Sequence, residues 1–66
     1  MPKFQMKQED IDSYNYIVEQ STDEELEGFL KAIIMHLMTR YQNDDDPYKS
    51  LKKAEWYMSK LIGLYG

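Results

Sequence analysis

The sequence predicts an all-α fold of three helices, a short first helix followed by a longer antiparallel pair. Three observations predict it. Apolar residues recur at three- and four-residue steps through most of the chain, the spacing of one helix face. No segment alternates apolar and polar residues with the period of two that a half-buried strand needs. Helix-start chemistry stands at two places, Ser21-Thr22-Asp23-Glu24-Glu25 and Asp46-Pro47, each just ahead of a periodic run.

The chain is a single unit, residues 1–66. Residues 1–7 show no period and read as an N-terminal tail, with Phe4 and Met6 the residues that have an apolar reason to fold back. The first helix is expected near 9–19. Ile11, Tyr14, Ile17 and Val18 fall on one face, and Glu9 and Asp10 sit on the first turn, where the helix dipole favours acids.

The second helix is expected over 22–42. Ser21 with Glu24 and Thr22 with Glu25 offer two overlapping capping boxes. Leu26, Phe29, Leu30, Ile33, Leu37 and Tyr41 then form a stripe, widened by Ile34, Met35 and Met38. A helix apolar over so much of its circumference is central in its fold or covered by another chain. Gly28 inside it costs about 1 kcal/mol relative to Ala and suggests the close approach of another backbone.

The turn Asn43-Asp44-Asp45-Asp46 leads into a third helix near 47–62. Asp46 is placed to cap it, and Pro47 suits a first helical position, whose N–H has no partner within the helix. Leu51, Ala54, Met58, Leu61 and Ile62 make its expected inward stripe, with Tyr57 beside them and Gly63 as the stop. So short a connection favours antiparallel neighbours.

Composition bounds the function. The chain has 66 residues and a formal charge of −4. Residues 1–27 hold eight acids and two bases, and residues 28–66 hold six bases and four acids. With no cysteine and one histidine, thiolate zinc sites, disulfides, cysteine nucleophiles and histidine relays are excluded. No apolar run spans a membrane and no signal-peptide h-region opens the chain, so a cytoplasmic protein without a membrane partner is expected. A core this small seldom supplies more than about 3–5 kcal/mol, and neither a disulfide nor a thiolate metal site can supplement it here. Nine aromatic rings are also many for three helices to bury. Both features point to a homo-oligomer, a dimer first, through Phe29, Ile34, Met38, Tyr41, Trp56 and Tyr57.

Chemistry-bearing groups are few. Glu24 and Glu27, three apart on one helix face, offer carboxylate oxygens to magnesium. A facing second acidic pair is missing, because Met58 stands three residues after Glu55. Lys31, His36 and Arg40 on the second helix are the candidate phosphate ligands, with Arg40 supplying a bidentate fork. Asp44-Asp45-Asp46 lacks the spacing of a calcium loop and reads as a turn plus a cap. Lys49, Lys52, Lys53 and Lys60 lie near Tyr48, Trp56 and Tyr57, but the acidic chain carries no nucleic-acid motif. No phosphate loop, nucleophile elbow or triad can be assembled, so the sequence leans away from an enzyme and requires no cofactor.

Three stretches look familiar. Thr22-Asp23-Glu24-Glu25-Leu26-Glu27-Gly28-Phe29-Leu30-Lys31, then Arg40, then Leu51-Lys52-Lys53-Ala54-Glu55-Trp56-Tyr57-Met58-Ser59-Lys60-Leu61 together resemble the SaV-like domain of bacteriophages. That small domain of unknown function also occurs in a phage nucleotide kinase. The similarity covers about residues 11–62, and Leu51–Tyr57 is its most specific part. Ala32-Ile33 stand where the family pattern has Gly-Asn, and His36-Leu37 where it has Lys-Tyr. The resemblance implies a phage-encoded accessory protein that acts by binding, on itself and on a host enzyme, in the host cytoplasm. Its alternative is a nucleotide- or phosphate-binding protein of phage nucleotide metabolism. That alternative would use Lys31, His36 and Arg40 on phosphate and Glu24 and Glu27 on magnesium.

Overall fold

Three helices and a short 3-10 turn make up the protein, seen in a computed structural model that describes residues 4–66. Helix α1 spans Gln8–Gln20, α2 spans Asp23–Arg40 and α3 spans Pro47–Gly63. The fold is all-α as expected, and no strand occurs among the described residues.

Local chemistry sets the boundaries. Only Ser21 and Thr22 separate α1 from α2, and both are extended. Of the two overlapping capping boxes, the Thr22–Glu25 box forms. The Glu25 amide donates to Thr22 Oγ1 at 3.2 Å, and the Thr22 amide donates to Glu25 Oε1 at 2.9 Å. Ser21 is instead the residue on which α1 ends. Helix α2 ends at Arg40, two residues short of the expected end, and tightens into the 3-10 turn Tyr41–Asn43. Asp46 caps α3 by accepting from the Lys49 amide at 3.2 Å, with Pro47 first in the helix. Gly63 does not stop α3 by turning left-handed. Its φ is negative, and the helix unwinds through Leu64 in the right-handed region.

The core is small. Met6, Tyr14, Leu26, Leu30, Ile34, Ala54 and Tyr57 are buried, with Leu30 at 0% exposure in the centre. Phe4 packs against this cluster and Met6 lies within it, so residues 4–7 dock through their two apolar side chains. The first three residues of the expected tail lie outside the described residues.

Two inward stripes are rotated from the expected ones. On α3 the buried line is Ser50, Ala54 and Tyr57, with Leu61 half-buried, whereas Leu51, Met58 and Ile62 are exposed. Each exposed residue lies about 100° around the helix from a member of the buried line. Apolar groups on α3 therefore cover a wider sector than its neighbours fill. On α2, Ile34 joins Leu26 and Leu30 in the core, leaving Met35 and Met38 outside. Gly28 faces open space, with nothing within 4 Å of the place a Cβ would take. The close backbone approach expected there is not made among the described residues.

The hairpin is antiparallel. Tyr65, just past α3, donates its hydroxyl to the carboxylate of Glu27 near the start of α2. At the other end the hydroxyl of buried Ser50 donates to the Asp44 carboxylate. Asp44 and Asp46 of the acidic turn are thus both committed to holding that turn. No helix among the described residues is long and apolar enough to cross a membrane.

Candidate functional site

Trp56 and Tyr57 sit in an aromatic cluster that fastens α1 to the hairpin. Adjacent residues on a helix project about 100° apart, so Tyr57 enters the core while Trp56 lies half-buried under α1. Tyr14 of α1 meets Trp56 edge-on with ring centroids 5.2 Å apart, and meets Tyr57 at 6.3 Å. Phe29 of α2 packs on the other side of Tyr57, also edge-on, at 6.3 Å. Such edge-to-face pairs each add about 0.5–1.5 kcal/mol beyond burial. Lys60, one turn after Trp56, holds its ammonium 4.7 Å from the indole centroid and 5.9 Å from the Tyr14 ring. Lys53 reaches Asp10 of α1 at 3.7 Å, and this Asp10 oxygen is buried without a hydrogen bond.

Burial pushes the Tyr14 hydroxyl above its ordinary pKa. Burial first, and the negative charge of Asp10 second, do the same to Tyr57. Both shifts favour the neutral phenol.

The expected association residues consequently divide. Ile34 and Tyr57 belong to the chain's own core and cannot form an outer surface. Phe29, Trp56 and Tyr41 are half-buried, the first two within the aromatic cluster. Met38 is 49% exposed. Of the nine rings only Tyr14 and Tyr57 are buried, and Tyr16, Tyr48 and Tyr65 stand exposed.

Helix α1 covers the flank of α3 that carries Lys53, Trp56 and Lys60. Leu51, Met58 and Ile62 lie about 120–160° around α3 from Trp56, on the flank turned away from α1. The Tyr65–Glu27 hydrogen bond joins this flank to the matching one on α2. There Lys31 and Met38 stand four and eleven residues after Glu27, within about 40° of it. Met35, 60% exposed, lies beside them. One side of the α2–α3 hairpin is thus capped by α1, and the other presents Met35, Met38, Leu51, Met58, Ile62 and Tyr65. Sequence reasoning placed Leu51, Met58 and Ile62 inside. The width of the apolar sector on α3 was the available signal that some of them must face outward.

The candidate phosphate ligands are not brought together. Lys31 and Arg40 are nine residues apart on one straight helix, so they project about 180° from each other. His36 and Arg40 share a face, both exposed. Glu24 and Glu27 share a face as well, but Glu27 accepts the Tyr65 hydroxyl. This bond raises the Tyr65 pKa. Among the described residues no group of three or more His, Asp or Glu side chains is arranged to hold a metal ion. A shallow groove between the N-terminal segment and α3 is lined by Phe4, Lys52, Glu55, Trp56 and Ser59, where Lys52 and Glu55 pair with each other. No family model, curated protein or solved structure matches the chain.

Proposed function

We propose that this chain is a small phage-encoded accessory protein that works by binding proteins, itself first and a host protein second. The observation that supports this reading is the uncovered side of the α2–α3 hairpin. Single exposed apolar residues are ordinary on any surface. Five of them on two adjacent helices, with Tyr65 just past α3, share one side of the hairpin, and apolar patches mark interaction sites. Three of the six are methionines, whose unbranched, polarisable side chains adapt to a partner's shape. The phage assignment draws on the resemblance over residues 11–62, strongest at Leu51–Tyr57. The nucleotide-binding alternative draws no comparable support, because Lys31 and Arg40 point to opposite sides of α2.

Affinity capture from infected cells with a tagged chain, read by mass spectrometry, tests the proposal. The expected result is recovery of untagged copies of the chain or of a host protein, lost when Ile62 is changed to Glu. Calorimetry with nucleoside mono- and triphosphates, with and without magnesium, tests the rival. Specific nucleotide binding that disappears on Arg40→Ala, with no protein captured, would overturn the binding reading.

A further inference from the structure

Resting on that reading, we propose that the occupant of the open hairpin face is the same face of a second copy, in a two-fold pair. The extent of the face supports this occupant. Met35, Met38, Leu51, Met58, Ile62 and Tyr65, exposed by 38–77%, put six large apolar side chains on one face, and a stable interface draws about 600–1,000 Å² from each partner.

Charge supports it too. Glu27 is already bonded to Tyr65, and Glu55 to Lys52. Lys31 and Glu24 remain beside the apolar strip, one turn or two along α2 and of opposite sign. In an isologous interface, whatever residue i meets on the partner's residue j, j meets on i. A patch carrying both signs can therefore satisfy itself twice over. Pairing the faces also places α2 and α3 of both copies in one four-helix core, with each α1 left on the outside. That arrangement would give a chain with seven buried apolar residues among those described a second, shared core.

Sedimentation at high micromolar concentration tests the proposal on the full chain, using Ile62→Glu, Met38→Glu and, on the far side of the molecule, Tyr16→Glu. Ile62 and Tyr16 are both 64% exposed, so the comparison holds exposure constant while it changes the face. Dimeric mass is expected for the wild type and for Tyr16→Glu. Each hairpin-face variant should weaken pairing about tenfold or more while keeping the wild-type far-UV circular dichroism. Should one variant lose its helical signal, the other carries the test. Wild-type monomers across the concentration range would overturn the proposal, as would a dimer broken by Tyr16→Glu and not by the other two. A monomer that still captures a host protein in the preceding experiment refutes the second copy as occupant and leaves the binding reading in place. A monomer that captures nothing ends both.

Discussion

Replacing Gly28 by Ala separates two accounts of the middle of α2. The sequence suggests that a glycine there admits another backbone, whereas the structure leaves open space around it, with a helical φ. If the space is open, the added methyl meets nothing. Its effect is then the difference in helix propensity and in unfolded-chain freedom, a gain of about 0.5–1 kcal/mol. For a domain of this size each kcal/mol moves the melting midpoint by roughly 4–8 °C, so Gly28→Ala should raise it by about 2–8 °C. The assay is thermal unfolding by far-UV circular dichroism at low and high micromolar protein, with wild type and variant matched in concentration, because association itself shifts the midpoint. An unchanged or lowered midpoint at low concentration refutes the reading of α2 as open at Gly28. A gain at low concentration that reverses at high concentration would instead place a partner's backbone against Gly28.

Leu30→Ala removes a side chain with no exposure and should cost about 2–5 kcal/mol, comparable to the whole stability of so small a domain; retention of a cooperative melt near the wild-type midpoint would contradict the core assignment. Trp56→Ala should cost about 2–3 kcal/mol from lost burial and lost edge-to-face contacts, equally at all protein concentrations in urea unfolding, because the indole holds α1 within one chain; a change in mass with stability intact would move Trp56 to an interface. Burial raises the pKa of Tyr14 and Tyr57, so the folded state holds their protons more tightly than the unfolded chain does. Their contribution is therefore full below the ordinary tyrosine value near pH 10 and is lost as pH rises through the raised values. Urea unfolding followed from pH 8 to 11 should show that decline, and Asp10→Asn should lower the spectrophotometric midpoint of Tyr57, for which Asp10 is the second cause.

Local physics made much of the fold readable in advance. Helix positions follow from capping oxygens, a proline and apolar spacing, all of which act within a few residues, and the observed ends fall within two residues of the expected ones for α1, α2 and α3. The choice between the boxes at Ser21 and Thr22 was not readable, because it depends on where α1 ends. Nor could spacing tell that Gly63 would keep a negative φ, since a glycine permits a left-handed stop without requiring one.

The candidate site divides in the same way. Periodicity shows which sector of a helix is apolar, but on α2 and α3 that sector is wider than one neighbour can cover. Which part is buried depends on the flank that α1 takes. Tyr14 docking against Trp56 and Tyr57, with Lys53 meeting Asp10, puts α1 on one side of the hairpin. That choice draws Tyr57 inward and leaves Leu51, Met58 and Ile62 outside. The residue types and their helical positions were determined by the sequence alone. Their division into core and open face was decided only by the tertiary packing, because a third helix can lie against one side of a hairpin and not against both.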